Sequence, residues 1–170
     1  MTKNLILSPL EESDIDEIVS SFEMIGWNKP KSIYEAYLKE QSHNIRSVII
    51  AKENRKFCGY VTIKWNADYP SFNQQNIPEI SDLNVLPDFR KNGIGTTLIK
   101  ASEDMVRERG LKSIGLGVGM TADYGHAQRL YIHLGYVPDG HGLHYKNVPL
   151  NYGDQATVDD DMVIYLIRSI

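Results

Sequence analysis

The sequence predicts an α/β (α+β) protein in which strands and helices alternate along the chain. Short apolar or alternating runs show the two-residue period of strands, and longer stretches show the spacing of amphipathic helices. These segments follow one another in the order β-α-α-β-β-β-α-β-α-β-β. With 170 residues, 42% hydrophobic and 24% charged, the chain fits a single globular domain over residues 1–170.

Two helices and three strands are predicted in the first part of the chain. In order, they are a strand at 5–7, a helix from Ser13 or Asp14 to about Gly26, a helix at 31–40, and strands at 46–51 and 57–65. Because only the polar turn at 52–56 separates the last two strands, they are expected to form an antiparallel hairpin.

Two connectors contain aromatic residues that could contact a substrate. Trp27 lies between the two predicted helices, where it either contacts a substrate or covers the core. Tyr69 and Phe72 lie in residues 66–78, which are predicted to form a long loop because Asn, Gln and Pro are frequent there. Long loops in compact domains are often functional, so these two rings are candidates for the wall of an acceptor pocket.

The stretch from Glu79 to Gly110 is predicted to form a strand, a tight turn and a helix. Residues 79–85 have strand length, and Pro87 ends the strand because proline cannot donate a ladder hydrogen bond. Apolar residues then recur at helical spacing from Ile94 onward. The turn contains two cations and two glycines, and helix-start amides lack intrahelical partners, which indicates a phosphate or pyrophosphate site. The alternative is a turn whose glycines serve only backbone geometry.

The remaining elements are less regular. They are a strand at 113–120, a helix at about 123–133, a strand beginning at 135–137, a polar region over 139–158 and a last strand at 162–167. Gly115, Gly117 and Gly119 leave one face of their strand as bare backbone, which favours close approach of a neighbouring element or of a ligand. His141 and His144 lack a third fixed ligand nearby, so no metal site is predicted.

Composition excludes several classes of function. The formal net charge is −4, the pI is about 5.7, and basic residues do not cluster, so neither a nucleic-acid nor a membrane partner is expected. The lone Cys58 lies in an apolar strand, which predicts a buried thiol in a reducing compartment rather than a disulfide or a nucleophile. Because no signal peptide or membrane-spanning stretch is found, a soluble cytoplasmic protein is expected.

Two motifs resemble those of the GCN5-related N-acetyltransferases (GNAT). The first is Arg90-x-x-Gly93-x-Gly95 after Val85-Leu86-Pro87, and the second is the string from Leu130 to Tyr136, Leu-Tyr-Ile-His-Leu-Gly-Tyr. Tyr124 departs from the family pattern, where many members carry Asn that bonds the coenzyme arm. The strong resemblance covers residues 79–137. It implies a mixed, twisted, mostly antiparallel sheet of about six or seven strands, flanked by about four helices.

The resemblance also implies an enzyme that transfers acetyl from acetyl-CoA to a primary amine by direct attack. Tyr131 matches the family's general acid, and Glu79 lies where some members place a base; Asp82 and a water relay remain alternatives. Backbone at Leu83 and Val85 would pair with the pantetheine arm. The pyrophosphate would be held by residues of the turn and helix start, namely Arg90, Lys91, Asn92, Gly93, Ile94, Gly95 and Thr96.

Two other functions stay open. The first is a non-catalytic acyl-CoA-binding module on the same fold. The second is a nucleotide-dependent oxidoreductase, because Gly117–Ala122 also fits a Gly-x-Gly-x-x-Ala dinucleotide pattern with Asp139 downstream. The acceptor is undetermined between a small-molecule amine and a protein amino group, and pairing of two chains through sheet edges is plausible.

Overall fold

The structure is a computed structural model that describes residues 4–170. Hydrogen bonding links eight strands in the order β1-β2-β3-β4-β5-β8-β6-β7, numbered along the chain with the bounds given below. The chain forms two compact units, and β4 contributes to both of them.

Unit 1 comprises the described residues up to Trp65 together with Ser81–Asp104. Its elements are β1 (Leu5–Pro9), α1 (Ile15–Met24), α2 (Lys31–Ser42), β2 (Arg46–Glu53), β3 (Lys56–Lys64), most of β4 (Glu79–Val85) and most of α4 (Ile94–Glu108). β1 pairs antiparallel with β2, and β2 pairs antiparallel with β3. The β2–β3 hairpin closes at Asn54 and Arg55, whose φ values of 51° and 68° are those that a type I′ turn requires.

The core of unit 1 joins α1 and α2 to the strands. Phe22 of α1 and Tyr34 of α2 are fully buried, and Tyr60 of β3 packs edge-on against both rings at centroid distances of 6.0 and 5.7 Å. Edge-to-face packing of this kind adds to the stabilisation that comes from apolar burial. Tyr60 therefore anchors both helices on β3.

Unit 2 comprises Asn66–Ile80 and Met105–Ile170. Its elements are the first two residues of β4, α3 (Pro70–Gln74), the end of α4, β5 (Ser113–Gly119), α5 (Gly125–His133), β6 (Val137–Tyr145), β7 (Val148–Pro149) and β8 (Met162–Ser169). Here β4 runs parallel to β5 through the pairs Glu79↔Gly115 and Ile80↔Leu116. The other pairings of this unit, β5–β8, β6–β8 and β6–β7, are antiparallel.

The core of unit 2 is aromatic. Tyr69 stacks on Tyr165 with ring centroids 3.6 Å apart and planes 3° from parallel, and Phe72 meets both rings edge-on. All three residues are at most 3% exposed. The rings that could have walled an acceptor pocket are therefore core residues instead.

The fold class is confirmed: the protein has a mixed α/β fold with a mostly antiparallel sheet and flanking helices, although the sheet has eight strands rather than six or seven. Two expectations need correction. The loop predicted over residues 66–78 contains the short helix α3, which starts at Pro70 in the first turn, where proline is favoured. The polar region that follows residue 138 includes most of β6.

Within residues 4–170, every helix is too short or too polar to cross a bilayer.

Candidate active site

The turn before α4 is open to solvent. Lys91, Asn92 and Gly93 are exposed, and a β-carbon added to Gly93 would have no heavy atom within 4 Å. Gly93 has a φ of 80°, a left-handed conformation that glycine adopts without strain. The phosphate site predicted in this turn is therefore not filled by the protein's own side chains.

The amides at the start of α4 are available as hydrogen-bond donors. The first helical bond runs from the Thr97 N–H to the Gly93 carbonyl at 2.9 Å. Among residues 4–170, no acceptor takes the N–H groups of Ile94, Gly95 or Thr96. Together with the positive end of the helix dipole, these three donors form an arrangement that can bind an anion.

Arg90 is folded back onto the end of β4. Its Nε donates to the Val85 carbonyl at 2.9 Å, and its guanidinium lies 5.6 Å from the centroid of the Trp27 ring. Trp27 in turn stacks on the buried Phe22 at 5.8 Å, so Trp27 acts as a cover on the core of unit 1. The hydrogen bond to Val85 therefore holds the Arg90 guanidinium beside the open turn.

Leu83, Val85 and Asp82 occupy an irregular part of β4. All three are partly exposed, and Asp82 has a φ of 58°, which is left-handed and uncommon for a residue within a strand. Gly59 of β3 accommodates this irregularity, because a β-carbon there would lie 2.5 Å from the Asn84 carbonyl oxygen. The left-handed backbone at Asp82 interrupts the regular alternation of side chains along β4.

The Asp82 carboxylate is saturated with donors. One oxygen accepts from Lys29 Nζ at 2.9 Å and from Asn84 Nδ2 at 2.6 Å, and the other accepts from the hydroxyls of Tyr37 and Tyr60 at 2.8 and 2.5 Å. Burial opposes ionisation, but the Lys29 charge and these hydrogen bonds outweigh it and lower the pKa of Asp82. A carboxylate held ionised by four donors is a poor proton acceptor, which makes Asp82 a weaker candidate for the base than Glu79.

Tyr131 lies on α5 with its hydroxyl unused. The residue is 7% exposed, its ring meets Tyr136 edge-on at 6.0 Å, and no residue in the described part of the chain hydrogen-bonds its oxygen. Burial, with a smaller contribution from Tyr124, raises the pKa of Tyr131 to about 12. The phenol is therefore protonated at neutral pH and can act as a proton donor.

Glu79 begins β4 and is partly exposed. It pairs with Gly115 of β5, and its charge is, after burial, the next largest cause that raises the pKa of the Tyr165 phenol. Glu79 therefore belongs to the surroundings of the Tyr69–Tyr165 stack.

The glycine row of β5 is filled by aromatic rings. A β-carbon on Gly115 would overlap the Phe72 ring, one on Gly119 would lie 2.5 Å from Tyr124, and one on Gly117 would lie 3.1 Å from Tyr165. Of the two interpretations of this row, the structure supports the close approach of neighbouring elements. The same packing argues against a dinucleotide site at residues 117–122, because the two glycines that would face the pyrophosphate face tyrosines.

One polar constellation was missed by sequence reasoning. The Asp139 carboxylate accepts hydrogen bonds from the Tyr69 hydroxyl and the His141 backbone at 2.8 and 3.0 Å, and it meets His141 Nδ1 at 3.1 Å. The local signal was Asp139-Gly140-His141-Gly142, an Asx-turn sequence with two glycines, but Tyr69 is distant in the chain. His144 is buried among aromatic rings, and residues 4–170 contain no cluster of three potential metal ligands.

Comparison with known proteins identifies the family of this chain. The profile of the Acetyltransferase (GNAT) family matches residues 13–136. An N-acetyltransferase of Bacillus subtilis, YhfO, which is itself uncharacterised, is 36% identical over 121 residues, covering 68% of this chain and 76% of that protein.

Two solved structures share the fold. An N-acetyltransferase from Staphylococcus aureus Mu50 has a TM-score of 0.72 at 14% identity, covering 98% of this chain and 99% of that chain. The yncA protein of Salmonella typhimurium, whose structure includes its cofactor acetyl-CoA, has a TM-score of 0.69 at 15% identity, covering 98% and 94%. The fold is therefore that of these acetyltransferases. The chain belongs to the GNAT family of acetyltransferases.

Proposed function

We propose that the protein transfers the acetyl group of acetyl-CoA to a primary amine by direct attack of the amine on the thioester. The observation that carries this proposal is the open start of α4, where three unpaired amides follow a left-handed glycine and two cationic residues. This arrangement suits the pyrophosphate of a coenzyme, because oriented N–H groups and the helix dipole favour negative charge there.

Each step of the reaction has a candidate residue. The pyrophosphate is held by the side chains or backbone of residues 90–96, and backbone groups at Leu83 and Val85 pair with the pantetheine amides. The Val85 carbonyl accepts a hydrogen bond from Arg90, so Arg90 must release this carbonyl before the carbonyl can pair with the pantetheine arm. Glu79 removes a proton from the acceptor ammonium, directly or through water, and Tyr131 protonates the departing sulfur. A covalent acyl-enzyme is not needed, since Cys58 is buried in β3, where burial raises the pKa of its thiol to about 11.

The biological setting is part of the same proposal. Residues 1–170 act as one catalytic domain, the acceptor is a small-molecule amine or a protein amino group, and no metal, nucleic acid or membrane takes part. The unpaired, buried Cys58 suits a reducing compartment such as the cytoplasm. Two chains can associate through the exposed edges of the sheet.

Coenzyme binding is tested by calorimetry with acetyl-CoA. Gly93→Glu should weaken binding about 100-fold or more, because it places a carboxylate among the donors meant for phosphate. Gly110→Glu is the matched control: Gly110 has a φ of 75° and equally empty surroundings, but it lies beyond the other end of α4. Both variants carry similar backbone strain, so a difference in affinity reports the effect of the new carboxylate side chain at the helix start. Equal affinities for the two variants would refute the proposed coenzyme site.

Turnover is tested by thiol release from acetyl-CoA with four amines: spermidine, n-butylamine, glycinamide and a short peptide with a free N-terminus. Release with at least one amine, confirmed by the mass of its acetylated product, is expected. Binding of acetyl-CoA without release for any amine would instead support the non-catalytic acyl-CoA module. Thermal protection by NAD(H) but not by CoA would support the oxidoreductase.

A further inference from the structure

The segment Asp139–Gly142 forms a bulge that presents His141 to solvent. β6 pairs with β8 through Pro138↔Leu166 and then Leu143↔Ile164, so the register shifts between these two pairs. Gly140 and Gly142 flank His141 with φ values of 90° and 74°. Bulges with left-handed glycines often redirect one side chain near an active site, and here that side chain is an imidazole with 56% of its surface exposed.

A buried carboxylate orients this imidazole. The Asp139 side chain is 6% exposed, and its Oδ2 lies 3.1 Å from His141 Nδ1 while also accepting the Tyr69 hydroxyl. Burial opposes ionisation of Asp139, but the hydrogen bonds from His141 and Tyr69 outweigh it and lower its pKa. An ionised carboxylate can only accept, so Nδ1 donates to Asp139, and in the neutral imidazole Nε2 then presents a lone pair. Within residues 4–170, no group occupies Nε2.

Packed aromatic rings hold the Asp139–His141 pair in place. Tyr69, which holds Asp139, stacks on Tyr165 at 3.6 Å, and the buried His144 meets both rings edge-on at 5.0 and 5.2 Å. Because the Asp139 carboxylate is hydrogen-bonded to a tightly packed tyrosine, it fixes both the tautomer and the direction of the imidazole. This is the arrangement by which a carboxylate orients a catalytic histidine in unrelated enzymes.

A series of contacts connects the support of His141 with Glu79: Glu79 pairs with Gly115 of β5, Gly115 lies against the Phe72 ring, and Phe72 packs edge-on against Tyr69. After burial, the charge of Glu79 is the largest influence that raises the pKa of Tyr165, and Tyr69, Asp139 and Asp68 contribute in the same direction. Three carboxylates therefore act on one hydroxyl of the stack. Their combined negative charge favours a cationic amine on this side of unit 2.

The acceptor reaction leaves one proton without an assigned route. An alkylammonium has three N–H bonds and the amide product keeps one, so two protons leave nitrogen as the C–N bond forms and the C–S bond breaks. The proton taken by Glu79 balances the one that Tyr131 gives to sulfur. The other proton must reach solvent, and an exposed acceptor near the amine would take it.

We infer that His141, oriented by Asp139, is a further catalytic residue that takes this second proton from the acceptor amine at Nε2 and releases it to solvent. The inference rests on the proposed function, because it assigns a role within the same reaction. Asp139 is a positioning residue, since it acts only through the imidazole.

Kinetics with the fastest of the four amines test the inference. His141→Gln should lower kcat about 100-fold and leave the KM for acetyl-CoA unchanged, because the ring takes a proton and holds no coenzyme. The matched control is His133→Gln, an exposed histidine on α5 outside the proposed site, which should keep wild-type kinetics. Added imidazole should restore part of the activity of His141→Ala, a result that a purely structural role would not give. Wild-type kcat in His141→Gln would overturn the inference and leave the proposed function standing, whereas absence of turnover in the wild type with every amine would reject the function itself.

The role of Asp139 has a readout that is independent of turnover. Long-range proton–nitrogen NMR spectra of the full-length protein should show His141 as the Nδ1–H tautomer in the wild type and as a mixture in Asp139→Asn. A mixed tautomer in the wild type would overturn the orientation on which the inference depends.

Discussion

Individual carboxylates and phenols in this protein take their chemistry from their hydrogen-bond partners. Asp82 and Asp139 are both largely buried acids whose pKa values are lowered, yet Asp82 meets four donors while Asp139 shares one of its oxygens with an exposed imidazole. The first arrangement holds the carboxylate of Asp82 ionised, and the second orients the exposed imidazole of His141. Tyr131 differs from both, because its hydroxyl has no protein partner among the described residues and remains available.

Tyr131→Phe should lower kcat about 100-fold and leave acetyl-CoA affinity within about twofold of wild type. The phenol is the proposed proton donor to sulfur, and Phe keeps the ring that packs against Tyr136. Thiol-release kinetics and calorimetry measure the two effects separately.

Tyr152→Phe serves as the control for that substitution, because Tyr152 is fully exposed and outside the site. Unchanged turnover in Tyr131→Phe would remove Tyr131 from its proposed role. A parallel loss of coenzyme affinity would indicate that the residue shapes the binding site instead.

One face of strand β5 is covered by aromatic residues from other parts of the chain. Its three glycines are spaced by two, so they share a face, and the three rings that cover this face come from residues 72, 124 and 165. Phe72 is 1% exposed and held edge-on by Tyr69 and Tyr165 at 4.9 and 5.5 Å. A ring confined in this way has no room to yield to a larger neighbour.

Gly115→Ala should lower the free energy of unfolding by about 1–3 kcal/mol, because the new methyl would overlap the Phe72 ring. Urea denaturation of the folded protein measures the change. Phe72→Leu in the Gly115→Ala background should recover part of the loss, since it removes the atoms that clash.

Gly125→Ala is the control for the β5 substitution, because a β-carbon at Gly125 meets no atom within 4 Å and its φ of −55° is ordinary for alanine. It should be neutral or stabilising. Equal stability of Gly115→Ala and the wild type would show that Phe72 can move, contrary to its packing.

Features decided by local chemistry were predictable from sequence, and features decided by distant partners were not. The turn at Arg90–Gly95 was predictable, since glycine conformation and the unpaired amides of a helix start depend on neighbouring residues. The occupants of the β5 face were not, because Phe72 and Tyr165 lie more than forty residues from the glycines they cover. For the same reason neither the four donors around Asp82 nor the Tyr69 support of Asp139 could be identified.

The protein as a whole should lose stability at alkaline pH through its buried tyrosines. Burial raises the pKa of six of the ten, namely Tyr34, Tyr37, Tyr60, Tyr69, Tyr131 and Tyr165. A tyrosine whose folded pKa exceeds its unfolded value of about 10 stabilises the fold below pH 10, and that stabilisation is lost as pH rises toward the folded pKa. For Tyr131 this window runs from about pH 10 to about 12.

We expect the free energy of unfolding to fall above pH 10 by about 1.4 kcal/mol per pH unit for each such tyrosine. In a titration followed at 295 nm, these six phenols should ionise late and together, at the pH where circular dichroism reports unfolding. Ionisation of all ten near pH 10 with the fold intact would contradict the burial of these residues.

The ion pair between Lys29 and Asp82 ties a connector to a strand. Lys29 lies between α1 and α2, and Asp82 precedes the β4 residues proposed to carry the coenzyme arm. With the coenzyme on β4 as proposed, an acceptor that moved the connector and a coenzyme that moved β4 would both act on this ion pair. Thermodynamic reciprocity would then require each ligand to alter the affinity of the other by the same factor.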